Sequence, residues 1–439
     1  MAISARVLAD GFQAIVGRDH ARDDPETRER AAIDGVVPQL VVVPGSIEEV
    51  AQVVALAAVE NLAIVPRGSG SMLDQGFPTQ RADLVLDVSR LDRIVEYNPD
   101  DLTVTAEAGV TGAALSAVLG TPGQWLPIDP PGVNTRTLGG LAATNASGPL
   151  RARYGTMRDL LLGVRFVQAD GVPTWGGSKV VKSVTGYDVP KLMVGSLGTL
   201  GILTELTLRL HARPEAERTH LIALPDAGAA QAFVMATLDS ALQPLRFEVF
   251  DAGVLSALGG PSRGVGAAVS FGSVEAAVAE QERELARHAR AAGSTQVTST
   301  PRLWSSYEAC WRREPGATML LVGSMPARLA ETFQAVDDVS EGIARPGRVS
   351  VGGCAVVGSV RVLIGGASTD AAVRYVEGLR GRVAPWGAHV IVQAAPEPVR
   401  RAVDPWGPVG PDALRLMRDI KRTFDPSGRF NPGRFVAGL

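Results

Sequence analysis

The stretch VPRGSGSMLDQG, residues 65–76, ends an apolar run in a loop that is nearly half glycine and serine. Glycine has no Cβ, so amides around it can turn toward a bound group at close range, and successive inward-facing N–H groups favour an anion such as phosphate. A dinucleotide diphosphate suits such a loop. A Rossmann fingerprint would pass from its glycines straight into a helix, whereas after Ser71 the chain reads MLDQGFPTQRAD, with Pro78 and no helical periodicity. A nucleoside-triphosphate loop needs Gly-Lys-Ser/Thr opening a helix, and GGSKVV around Lys179 lacks the first glycine at the right offset. For the stretch taken alone, the alternative is a plain turn between two strands.

The flanking elements must hold this loop in place. Ser46 and Glu49 stand at capping-box spacing ahead of an apolar helical period, which predicts a helix over 46–61, and AIVP then reads as a short buried strand. After the loop, ADLVLDV, IVEYN and LTVTAEAGV read as three strands broken by turn residues, and 111–119 as a short helix. PIDPPGVNTRTLGGLAATNASGPLRARYG strings Pro, Gly, Asn and Ser over a length that marks a functional irregular segment. Two strands about an Ala-Asp-Gly turn follow, then GILTELTLRL, expected to alternate Ile202, Thr204, Leu206, Leu208 and Leu210 on one face, and HARPEAERT as a linker. From about 217 strand and helix patterns alternate with few glycine-rich loops, as in a sheet backed by helices. The tail opens a helix at Pro411 and ends in FDPSGRFNPGRF.

Composition narrows the classes. A chain of 439 residues divides into two or three domains, and 46% hydrophobic with 20% charged residues describes an ordered globular protein. The net charge of −3 gives no basic excess for nucleic acid or an anionic membrane surface. Two cysteines, Cys310 and Cys354, fit a reducing compartment and cannot supply the four thiolates an iron–sulfur cluster usually needs. No segment reaches 18 uninterrupted apolar residues, and MAISARVLADGFQAIVG lacks a basic segment before a continuous apolar one, so the expectation is a cytoplasmic protein without a transmembrane segment.

Three segments join the glycine loop in a recognisable order: TLGGLAATNASGPLRARYGTMRDLLLGVRFV at 137–167, VKSVTGYDVPKLMVGSLGTLGILTELTLRL at 181–210 and FDPSGRFNPGRF at 424–435. Together they resemble the FAD-binding domain of the vanillyl-alcohol oxidase / p-cresol methylhydroxylase family, and within it the FAD-binding subunits of glycolate oxidase. The resemblance implies an α+β fold: a two-subdomain FAD-binding domain over 1–212 (about 1–90 and 91–212), an α+β cap over 213–395, and a segment over 396–439 that returns to the first domain. By resemblance, Pro66, Arg67, Gly68, Ser69, Gly70 and Ser71 form the diphosphate loop, where the family more often reads Arg-Gly-Gly-Gly-Thr. Leu138, Gly139 and Gly140 match the turn toward the flavin; Asn145, Ala146, Ser147 and Gly148 match ATNAGG; Arg153, Tyr154 and Gly155 match RYG. Gly201 and Ile202 match the strand start at the adenine end, and Asn431 matches the C-terminal FNPG. Leu197 stands where many relatives carry glutamate. For each glycine taken singly, the alternative is a helix cap or a turn.

The resemblance further implies flavin-mediated oxidation of a small 2-hydroxy acid such as glycolate, in a complex with a homologous flavoprotein subunit and an iron–sulfur subunit. A stand-alone dehydrogenase or oxidase, and a non-catalytic FAD-holding subunit, are the alternatives. Related dehydrogenases carry a histidine-rich metal cluster; here His20, His211, His220, His288 and His389 are scattered, so no metal is expected. His389, in WGAHVIVQ, stands where the glycolate oxidase type reads GGHA and is the one histidine proposed for catalysis, against a structural histidine at a strand start. Arg361, Arg400 and Arg401 receive no role. Covalent flavin in the family is tethered through His, Cys or Tyr, commonly in the loop or the cap; neither RGSGSMLDQG nor TLGGLAATNASG contains one, so the FAD is expected to be noncovalent.

Overall fold

A computed structural model describes residues 5–121, 123–179, 186–343 and 347–439; the opening VKSVT of the second motif segment lies outside them. Three main sheets organise the chain. In the first, β2 (Leu40–Val42), β4 (Leu84–Asp87) and β3 (Ile64–Arg67) run parallel, with the short β1 (Ala21–Arg22) antiparallel at the edge. The helix Ile47–Val59 crosses between β2 and β3, and Ser46 caps it by accepting from the Glu49 amide at 3.2 Å.

The second sheet is antiparallel, in the order β5 (Ile94–Asn98), β6 (Thr103–Glu107), β10 (Ile202–Arg209), β8 (Leu161–Val167), β9 (Pro173–Gly177). The expected one-faced alternation of β10 does not hold. As the central strand it is buried from Ile202 to Leu208 on both faces, Thr204, Glu205 and Thr207 included. The expected linker HARPEAERT contains strand residues: β11 (His211–Ala212) pairs with β7 (Gln124–Trp125), and β12 (Ala216–Leu224) begins within it. One apolar core joins both sheets, running from Ala9 to Phe430.

The third sheet has eight antiparallel strands in the order β15 (Gln296–Ser299), β12 (Ala216–Leu224), β14 (Val265–Ser273), β13 (Arg246–Phe250), β17 (Arg348–Cys354), β18 (Ser359–Gly365), β16 (Thr318–Gly323), β19 (His389–Ala394). Its main core is backed by the helices Ala227–Leu238, Glu275–Ala291, Leu329–Gly342 and Thr369–Val383, and shares no residue with the first. Strands β14, β15 and β17 carry no clear sequence signal of their own. The tail then returns: the helix Pro411–Phe424 ends in Asp425, the Ile64 amide donates to Arg429 O at 2.8 Å, and the Asn431 amide donates to Ile64 O at 2.8 Å. Lys421 fixes this return by donating to Thr199 O, Asp425 Oδ2 and Phe430 O.

Candidate functional site

Strand β3 delivers the glycine loop to the carboxyl end of the parallel sheet, the edge where open α/β sheets bind ligands. Arg67 is anchored to Asp87 Oδ2 through Nε and Nη2, at 3.0 and 2.8 Å. Gly70 has φ +71°, a left-handed conformation that a β-branched residue adopts only with strain. At Gly68 the constraint is packing, since a Cβ there would lie 2.1 Å from Thr137 Oγ1. Among the described residues, the amides of Ser69, Gly70 and Ser71 donate to nothing in the chain.

These residues open onto a cleft of about 730 Å³. Its far wall is the helix Leu138–Ala143 and the turn Leu197–Gly198, with Gly201, Ile202 and the tail residues Asn431 and Arg434 closing it. Asn431 sits at φ +45°, its Nδ2 donating to Leu197 O at 2.7 Å while Oδ1 has no partner. Buried Arg434 donates from Nη1 to Thr79 Oγ1 at 2.8 Å and leaves Nη2 unpartnered; burial, despite Asp34 nearby, pushes its guanidinium down to about 10.

Thr144 lines the cleft and also two adjoining cavities of about 960 and 1140 Å³, which share Gln75, Ser147, Arg361 and Gln393 and together form the chamber beside the cleft. Leu321, Ser359, Arg361, Ile391 and Gln393 reach it from one face of the third sheet. Glu248 is wholly buried in its wall; Arg361 Nη2 donates to Glu248 Oε2 at 3.1 Å, the Tyr307 hydroxyl donates to the same oxygen, and Oε1 has no partner. Trp311 lies under the Arg361 guanidinium at 5.0 Å. Burial pushes the Glu248 carboxyl above its ordinary value against the pull of Arg361. Burial opposes the charge on Arg361, but Tyr307 and Glu248 more than offset it and hold the guanidinium above its usual value. Burial and the neighbouring Glu248 likewise lift the Tyr307 phenol. Asp129, near enough to Glu248 to help raise it, accepts from Arg246 Nε and the Leu150 amide, both at 2.8 Å.

The sequence profile of the FAD binding domain family matches residues 38–176, and that of the FAD linked oxidases C-terminal domain matches residues 408–435. The chain carries an FAD-binding domain. It is 33% identical over 252 residues to "Probable D-lactate dehydrogenase, mitochondrial" of Danio rerio, covering 56% of this chain and 50% of that protein. It is 39% identical over 154 residues to "Glycolate oxidase subunit GlcE" of Escherichia coli K12, covering 35% and 43%. The chain thus spans about half the length, or less, of these curated relatives. Its fold is that of the p-cresol methylhydroxylase type: a crystal structure of that enzyme with substrate bound superposes with a TM-score of 0.80 at 14% identity, over 98% of this chain and 96% of the other.

The cleft fits a dinucleotide on its own terms. The FAD-binding domain offers three undirected amides in the glycine loop, and the buried atoms Asn145 Oδ1, Asn431 Oδ1, Arg136 Nε and Arg434 Nη2, which have no partner, belong to residues that line the cleft and chamber. Buried polar atoms without partners are rare unless a ligand or water completes them.

Of the residues singled out by sequence, Pro66 to Ser71, Gly139, Gly140, Gly201, Ile202 and Asn431 line the cleft. Asn145, Ser147 and Gly148, with Ala146, line the chamber. Leu138 is completely buried beneath the cleft, its amide on Val110 O. Arg153, Tyr154 and Gly155 line neither: Arg153 is exposed, Tyr154 packs edge-on against Trp125 and His211, and Gly155 ends the helix Arg151–Tyr154 at φ +77°. The helix turns Arg151 into the chamber instead, its Nη1 donating to Ser359 Oγ at 3.1 Å. His389 is exposed at the start of β19, four residues and therefore roughly 13 Å along the strand from Gln393, in an adjacent cavity. Arg361 and Arg400, given no role from sequence, are both held inside; Arg400 pairs with Asp34 and also donates to Gly76 O. Arg136, Glu248 and Arg434 escaped notice altogether, since nothing local marks a charged residue as buried. Among the described residues no group of three His, Cys, Asp or Glu gathers to hold a metal, and no helix is long and apolar enough to cross a membrane.

Proposed function

We propose that the chain is an FAD-dependent dehydrogenase of small 2-hydroxy acids such as glycolate, acting in the cytoplasm as the FAD-binding subunit of a glycolate oxidase-like complex. The reading rests on one observation above all: Thr144 lines both the cleft of the FAD-binding domain and an adjoining chamber walled by a buried acid and guanidinium groups. The amides of Ser69, Gly70 and Ser71 hold the diphosphate. Gly201 and Ile202 flank the adenine end, Gly139, Gly140 and Asn431 line the middle, and Asn145, Ser147 and Gly148 border the ring. Bound FAD supplies the acceptor for the carbinol hydrogen and its electron pair. Arg361 faces the substrate carboxylate, and Glu248 takes the hydroxyl proton on its free Oε1, a task suited to a carboxyl whose affinity for protons is raised by burial. The FAD is noncovalent; the buried Cys354 thiol beside the chamber is pushed up by burial and stays protonated. Electrons leave to an iron–sulfur partner, with a homologous flavoprotein subunit completing the complex.

The test is anaerobic addition of glycolate and of D-lactate to the purified holoprotein and to the complex isolated from the native cell, following flavin absorbance. Bleaching in the complex supports the reading, and equal bleaching by the isolated chain makes it a stand-alone dehydrogenase. No bleaching in either removes these acids as substrates. The 39% identity to a glycolate oxidase subunit favours a second reading, an FAD-holding subunit whose partner carries the chemistry, and Glu248→Gln leaving the complex at full rate would select it.

A further inference from the structure

Arg136 lies on the wall shared by the cleft and the chamber and is only 7% exposed. Among the other guanidinium groups buried nearby, Arg361 pairs with Glu248, while Arg400 and, at 3.9 Å, Arg434 share the one carboxylate of Asp34. Among the described residues no carboxylate lies within ion-pair distance of Arg136. Its one side-chain hydrogen bond runs from Nη2 to Thr144 Oγ1 at 3.1 Å, while Nε has no partner. The Thr144 hydroxyl is itself committed to Gly140 O at 2.8 Å, so it gives Arg136 no charge to answer its own. Burial, and then repulsion from Arg313, push the Arg136 guanidinium down to about 10, which leaves it protonated at neutral pH. Arg429 is the other deeply buried guanidinium without a carboxylate, but it ends on Ala169 O and lines neither cavity.

A protonated guanidinium almost out of water, with no carboxylate of its own and on the wall of a ligand cavity, is best answered by an incoming anion, since the neighbouring Arg313 already takes the carboxylate of Asp74. We propose that Arg136 is an anion-binding residue that receives one oxyanion of a bound ligand, a phosphate or a carboxylate, where the cleft meets the chamber. Two sources offer that chemistry, the dinucleotide diphosphate along the cleft and the acid group of a substrate in the chamber. Naming these sources rests on the proposed function; the unbalanced charge does not.

The experiment uses the full chain as wild type, Arg136→Met and Arg136→Lys. FAD affinity of apoprotein is read from flavin fluorescence at low and high salt, oxalate affinity of holoprotein from perturbation of the flavin spectrum, and thermal midpoints of apoprotein with and without inorganic phosphate or oxalate. Arg136→Met should weaken FAD or oxalate at least tenfold, Arg136→Lys should recover part of that loss, and apoprotein should melt no lower, because removing an unbalanced buried charge offsets the loss of its one hydrogen bond to Thr144. Loss of FAD affinity alone assigns the anion to the diphosphate; loss of oxalate affinity alone assigns it to the carboxylate. Both affinities within twofold of wild type, or a melting point that falls in Arg136→Met and also in Arg136→Lys, overturns the proposal. Wild-type apoprotein that takes up no FAD overturns the functional reading instead, and phosphate or oxalate stabilisation, present in wild type and lost in Arg136→Met, then still decides the role of Arg136.

Discussion

Around the cleft the lining is dominated by glycines, main-chain amides and apolar side chains, with Asn431 and three arginines among them, whereas the chamber beyond Thr144 holds the buried Glu248–Arg361 pair and further charged side chains. The first wall is set by backbone conformation and close packing: Gly70 at φ +71°, Gly68 against Thr137, Gly139 against Ala108, and Gly198 against Pro66. The second is set by burial, which raises Glu248 and holds Arg361 beside it. A ligand read by backbone tolerates change in neighbouring side chains but not in chain geometry. A ligand read by buried ions is sensitive to single charges.

That contrast is sharpest at its two extremes. Replacing Gly68 and Gly70 together by valine should give colourless protein, because one Cβ strikes Thr137 and the other forces a β-branched residue into a left-handed conformation; normal yellow protein would break the backbone half of the comparison. In the chamber, Glu248→Ala leaves the Arg361 guanidinium buried and alone, a loss of about 3–5 kcal/mol by the usual cost of breaking a buried pair. The double variant Glu248→Met with Arg361→Met should recover most of this in chemical denaturation, and Glu248→Gln should lower turnover of the complex by roughly 10²–10⁴.

The pH dependence follows from the raised Glu248 carboxyl. A folded-state value above the unfolded one makes the folded protein hold the proton more tightly, so this contribution is full below the ordinary carboxylate range and fades as pH rises through the folded value. Melting points taken across that window should fall with rising pH in wild type and fall less in Glu248→Gln. Parallel slopes would assign the dependence elsewhere. Smaller still, Ser69→Ala and Ser71→Ala should weaken FAD by less than about tenfold, since a hydroxyl contributes about 0.5–1.5 kcal/mol and the amides remain. His389→Ala should change turnover of the complex by less than about twofold, in keeping with an exposed side chain at the start of its strand.

The two walls also differed in how far sequence could reveal them. Glycine, asparagine and serine at fixed short spacing carry their conformational meaning locally, so RGSGS, LGGLAATNASG and FNPG pointed to the cleft before any contact was known. Beyond Asn145 to Gly148, the chamber has no such local text. Glu248, Tyr307, Arg361 and Gln393 come from separate elements of the third sheet and a helix packed on it, and only strand order brings them together. Arg361 and Arg400 looked like any surface arginine because burial is a property of the fold. His389 was singled out for its neighbours in the chain, and strand rise sets it roughly 13 Å from Gln393, in a cavity that shares Arg151, Leu321 and Ser359 with the chamber. In the same way, nothing in the alternation of Ile202–Leu210 told that both faces of this strand are covered.

The claim on which both halves depend is that the cleft holds FAD without a covalent bond. Purified wild-type protein should be precipitated with acid and the FAD in the supernatant measured against polypeptide. One FAD released per chain, with none left on the pellet, is the expected result. A chain that carries no FAD, or flavin that stays with the denatured polypeptide, would contradict it.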